Sequence, residues 1–298
     1  MNRRKFLMIL GVVAMIIVIT LVFLLSKKFE EGKRGEGLLI VSTFPSLAFD
    51  IGQLAEPDDE IVSLIPEGVD PHEYQLTPED ISVLRSASMI VSTAHTSFEV
   101  RIRELAESGE IPAVLIEITS IPGIKIKTNP SLNTPNYHTP IYDPENYKIF
   151  IRYLGNRMAE LRPGKGYIER SRRIIREIDR IVAETPKVNL TAAALTPLVQ
   201  YAIEWTGIRV KYLLMKEHEV PVTPGDIIAI EEAAKRGEIN IIVSLKLDRK
   251  TAPALKIEEL ALKYGLRIIE IPSPLDMSSI PAKLRRISEQ VKAILVSH

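Results

Sequence analysis

The sequence predicts an α/β protein built from two lobes with parallel sheets, and two observations predict it. The first is a repeated loop-and-helix motif: His218-Glu219-Val220-Pro221-Val222-Thr223-Pro224-Gly225-Asp226-Ile227 aligns without a gap on His72 to Ile81, with identical His, Glu, Thr, Pro, Asp and Ile. In each copy Thr suits the N-cap, Pro the first helical position and Asp the third, where a carboxylate favours the helix N-terminus. The second is the order of the flanks. Residues 38–41, 46–54 and 60–64 read as strand, helix and strand before the first copy, and 188–194, 198–205 and 208–214 repeat that order before the second. Met89-Ile90-Val91-Ser92 then answers Ile241-Ile242-Val243-Ser244 as a short apolar strand after each helix. Apolar strands alternating with helices are the βαβ pattern of a buried parallel sheet.

The chain has 298 residues, enough for two domains each with its own core. Its 38 Lys+Arg balance 38 Asp+Glu, so no nucleic-acid partner is implied. The basic run at 170–180 is interrupted by Glu177 and Asp179 and reads as a solvated helix face. The absence of cysteine excludes disulfides and thiolate metal sites. Phe6 to Leu25 is a 20-residue apolar stretch, about 30 Å long as a helix and so sufficient to cross a bilayer. No clear small-residue cleavage site follows it, which favours an uncleaved single-pass membrane anchor over a signal peptide. Basic residues on both sides leave the orientation open. The expected organisation is an anchor at 1–26, a tether at 27–37, an N-terminal lobe at 38–165, a connecting helix at 166–186 and a C-terminal lobe at 187–298. Asn189-Leu190-Thr191 is a glycosylation sequon whose place beside a strand argues against its use.

Two histidine motifs carry a family resemblance. Gly68-Val69-Asp70-Pro71-His72-Glu73-Tyr74 with Thr77-Pro78 and Asp80-Ile81, and Asn136-Tyr137-His138-Thr139-Pro140-Ile141-Tyr142-Asp143-Pro144-Glu145-Asn146, resemble the ligand motifs of the zinc- and manganese-binding solute-binding proteins of ABC transporters. The resemblance implies two Rossmann-like lobes joined by a long helix over 166–184, a divalent metal in the interlobe cleft, zinc or alternatively manganese, and delivery to an ABC permease and its ATPase. It also implies that the chain is not an enzyme and that the soluble part acts outside the cell membrane. His72 and His138 are the matching ligands. The C-terminal lobe departs from the pattern: Thr196 stands where the family has a His five residues before Tyr201, Ser273 where it has an Asp before Pro274-Leu275, and Ser244 at an acidic position.

Two imidazoles hold Zn²⁺ only loosely, because the ion takes four N, O or S ligands. His95 leaves the carboxyl end of the 89–92 strand, where open α/β sheets gather their ligands, and is the expected third ligand. His218, in the position duplicating His72, and Asp276 are further candidates. Glu99, Thr196, Ser244 and Ser273 are expected to line the cleft. Because coordination requires neutral imidazole, binding is expected to weaken as pH falls through the histidine range near about 6.5. Two other readings stay open: a metal-free descendant whose polar cleft binds another small solute or a partner protein, and a zinc hydrolase with Glu73 or Glu99 as base. The chain has no Gly-x-Ser-x-Gly elbow, phosphate loop or His-Glu-x-x-His helix to support enzymatic chemistry.

Overall fold

The computed structural model describes residues 37–66, 69–217, 220–246 and 251–296. The apolar run at 6–25, the tether at 27–36 and His218 lie outside the described residues. Among the described residues no helix is long and apolar enough to cross a membrane.

Two four-stranded parallel sheets form the frame. The first contains β1 (Leu39–Ser42), β2 (Glu60–Ser63), β3 (Met89–Ser92) and β4 (Val114–Glu117) in the order β2-β1-β3-β4. Its helices are α1 (Pro45–Gly52), α2 (Pro78–Ser86) and α3 (Ser97–Glu107). A two-stranded antiparallel hairpin, β5 (Lys127–Thr128) with β6 (Pro135–Asn136), follows, and then the long helices α4 (Pro144–Leu161) and α5 (Tyr167–Glu184). The second sheet contains β7 (Leu190–Ala194), β8 (Ile208–Leu213), β9 (Ile241–Lys246) and β10 (Arg267–Pro272), with α6 (Val199–Ile203), α7 (Pro224–Lys235), α8 (Ala252–Tyr264) and the C-terminal α9 (Ile280–Val296). Its order, β8-β7-β9-β10, repeats that of the first sheet strand for strand.

The duplicated motif is also reproduced at its helix ends. Thr77 and Thr223 each accept the N–H of the third helical residue, Asp80 or Asp226, while that Asp accepts the cap's own N–H. Strand pairing is in register from Leu39↔Glu60 to Ser42↔Ser63, and the central strands are apolar because helices cover both faces. Ile40, Val41 and Ile90 in one sheet, and Ala192 to Ala194 and Ile241 to Val243 in the other, are inaccessible to solvent.

The helix expected over 166–184 is α5, packed along α4. The two approach closely at Gly155, where an added Cβ would come within 2.9 Å of Ser171 Cβ. The C-terminal segment folds back on the first half of the chain: the Ile280 N–H at the start of α9 and the Tyr147 hydroxyl both donate to Asp50 Oδ1 of α1, at 2.9 and 2.7 Å. Lys283, also buried, donates from Nζ to the Pro274 carbonyl at 2.7 Å. Burial pushes the Asp50 carboxyl up to about 6 and the Lys283 ammonium down to about 8.

Candidate metal centre

The loops at the carboxyl ends of β2 and β3 carry His72 and His95. His72 lies in the turn before α2, where its N–H donates to Asp70 Oδ1 at 2.9 Å. His95 ends a tight loop that passes through a left-handed Ala94 (φ 65°). Glu99, expected at the cleft surface, is instead wholly buried beneath that loop. Its carboxylate accepts the N–H groups of Thr93 (2.7 Å), His95 and Thr96 (3.1 Å each), and the hydroxyls of Ser92, Thr93 and Thr96. Burial raises the Glu99 carboxyl, but these donors and the neighbouring His95 more than offset it, so the group stays below the usual carboxylate range. Glu99 thus fixes the loop that presents His95. The Thr93 hydroxyl sits 3.0 Å from His95 Nδ1, which leaves Nε2 for a ligand.

His138 arrives from the opposite direction. It follows β6, its N–H donates to Asn136 Oδ1 at 3.0 Å, and Thr139 after it is left-handed (φ 51°). The hairpin that carries His138 is bonded to the second half of the chain. The Asn136 amide donates to Pro197 O and Gln200 Oε1 at 3.0 and 2.9 Å. The Tyr201 hydroxyl donates to Asn136 O at 2.6 Å and accepts the Lys127 N–H at 2.7 Å. Asn129 donates to Lys216 O at 2.7 Å. His138 therefore depends on second-half residues for its position, although it precedes α5 in sequence.

The three rings meet with His95 in the middle. Its centroid is 5.8 Å from that of His72 and 5.4 Å from that of His138, both edge to face. Its side chain is 19% exposed, and burial lowers its pKa to about 4. The loss of coordination expected near 6.5 therefore does not apply to His95, which stays neutral well below that pH. His138 Nε2 is in direct hydrogen-bond contact with Glu217 Oε1 from the loop after β8. Among the described residues no three His, Asp or Glu side chains already close on a single ion-sized point. The three rings are neighbours without converging on one point.

The other expected site residues lie elsewhere or are otherwise occupied. Thr196 and Ser273 use their hydroxyls to accept the N–H of Leu198 and Leu275, each at 3.2 Å. Ser244 is buried, with no partner for its hydroxyl among the described residues. The Asp276 charge bears on the buried Tyr142 and Lys283. Glu217 was missed by sequence reasoning. It is the residue before His218, and in the repeat alignment it falls opposite Pro71, so the duplication drew attention to its neighbour.

A family profile described as the periplasmic component A of a zinc-uptake complex, ZnuA, matches residues 40–272. The chain belongs to that family. Its fold is shared with the nickel- and manganese-bound solute-binding protein FpvC of Pseudomonas aeruginosa, at 18% identity and TM-scores of 0.70 and 0.72. Those matches cover 88% of this chain and 98% and 100% of the FpvC chains. It is also shared with the periplasmic zinc-binding protein TroA of Treponema pallidum, at 17% identity and a TM-score of 0.66 over 87% of this chain and 98% of that one. ZnuA-family proteins are solute-binding receptors rather than enzymes. The family's description is that of the periplasmic component of a zinc-uptake complex.

Proposed function

We propose that the protein captures Zn²⁺ between its two halves with His72, His95 and His138 and delivers it to a membrane permease. The observation that carries this reading is the edge-to-face contact of three imidazoles drawn from three separate loops. Neutral imidazoles favour zinc, at about 2.0 to 2.1 Å per bond, whereas Mn²⁺ prefers oxygen-rich sites. In this reading residues 38–165 and 187–298 form the two lobes, α5 is the stiff connector that keeps closure small, and the apolar run at 6–25 holds the lobes outside the membrane next to the permease.

Thermal unfolding of the full-length chain with and without Zn²⁺ tests it. A ligand that prefers the native state raises its melting temperature by mass action. Zinc should therefore shift the transition upward, and His72→Ala should remove most of the shift. A wild-type transition that zinc leaves unmoved contradicts the reading.

A further inference from the structure

We infer that Glu217 is a direct metal ligand, the carboxylate through which the second half of the chain completes the site. The inference rests on the metal-capture reading above and adds to it a fourth donor and a source for that donor. Three neutral imidazoles leave one position of a tetrahedral zinc site open. The hydroxyls of Thr196 and Ser273 are committed to backbone N–H groups. The Asp276 charge bears on Lys283 and Tyr142. Glu217, by contrast, already touches a ring nitrogen of His138, and its side chain is 33% exposed.

The position of Glu217 in the fold supports the same role. It follows β8 just as the His72 loop follows β2, so the equivalent edge loop of each sheet would present one donor to the same point. The adjacent Lys216 holds that loop at two places. Its carbonyl accepts from Asn129 of the hairpin at 2.7 Å, and its ammonium pairs with Asp226 at 2.5 Å, inside the Thr223 capping box. The loop bearing Glu217 and the hairpin bearing His138 are thereby fixed to each other. Donor atoms around a tetrahedral zinc stand roughly 3.3 Å apart, given bonds of about 2.0 Å. In such a site Glu217 Oε1 and His138 Nε2, now in direct contact, would stand that far apart on either side of the ion. A carboxylate also offsets one of the ion's two charges, which three imidazoles cannot do.

The test is Zn²⁺ titration of the full-length chain against a chromophoric chelator, with the visible absorption of a Co²⁺-loaded sample recorded in parallel, for wild type, Glu217→Gln and Glu217→Ala. If Glu217 is a ligand, both substitutions weaken zinc by more than the roughly 10- to 100-fold that losing an outer-shell partner costs and both change the Co²⁺ spectrum, while metal-free melting temperatures stay near wild type. If Glu217→Gln keeps wild-type affinity and spectrum while Glu217→Ala loses them, Glu217 only orients His138 through a hydrogen bond and the inference is overturned. It is equally overturned if neither variant differs from wild type. A wild-type protein that binds neither Zn²⁺ nor Co²⁺ would sink the metal-capture reading itself, an outcome distinct from a Glu217-specific failure.

Discussion

Replacing Lys283 with Met should destabilise the protein in a pH-dependent way, because the ammonium is buried beside the raised carboxyl of Asp50. In the native state Asp50 titrates near about 6, against 3.8 for an ordinary aspartate. At about 1.4 kcal/mol per pH unit, keeping it ionised costs about 3 kcal/mol. Between those two values the native state binds more protons than the unfolded chain, so this group's contribution to stability falls as pH rises through that window. Lys283 is one of the groups that hold the Asp50 value down, together with donation from Tyr147 and Ile280. Without the ammonium, the buried Asp50 charge keeps only its two hydrogen-bond donors at neutral pH, and the loss should be about 3 kcal/mol at pH 7.5. At pH 5, where Asp50 is protonated in both proteins, the loss should shrink to about 1 kcal/mol, the worth of the bond to Pro274. Lys283 titrates in the opposite sense: its depressed value near about 8 makes wild-type stability rise with pH from there to 10.5, so the comparison belongs at or below pH 7.5. Equilibrium urea unfolding, followed by circular dichroism and by the fluorescence of the single tryptophan, Trp205, measures both values. An Asp50→Asn, Lys283→Met double variant should show no such pH dependence. A single-variant loss that is equal at pH 7.5 and pH 5 would refute the argument and reduce Lys283 to a packing residue.

Two further outcomes follow from the duplication and from the lopsided site. Thr77→Ala and Thr223→Ala should each cost about 1 kcal/mol in urea unfolding, since each breaks an equivalent capping box; a loss confined to one would mean that the two helix starts are not equivalent. In zinc titrations His95→Ala should weaken binding severely, while Thr196→Ala and Ser273→Ala should change it less than about threefold, because those hydroxyls serve only their own loops; the reverse ranking would return the site to the positions the family normally uses.

The parallel sheets and the repeated order of elements along the chain were legible because parallel strands buried on both faces read as short apolar runs, and because the Thr-Pro-x-Asp helix start occurs twice. His95 could be anticipated from its place at a strand's carboxyl end, a rule of backbone topology that needs no side-chain geometry. Glu99 was visible as an acid just after the right loop, but its depth was not. Whether a carboxylate faces a cleft or its own loop depends on which N–H groups converge on it, and here Glu99 caps its own helix start at Thr96 and also accepts the N–H groups of Thr93 and His95. Glu217 was hidden because its partner, His138, lies 79 residues away on a hairpin that the second half of the chain positions. No local pattern encodes that pairing.

The most direct measurement is zinc-edge X-ray absorption on the full-length chain loaded with one equivalent of Zn²⁺. The account predicts three imidazoles and one oxygen, all at about 2.0 to 2.1 Å. A spectrum with fewer than two imidazoles, or a six-oxygen shell, would contradict it.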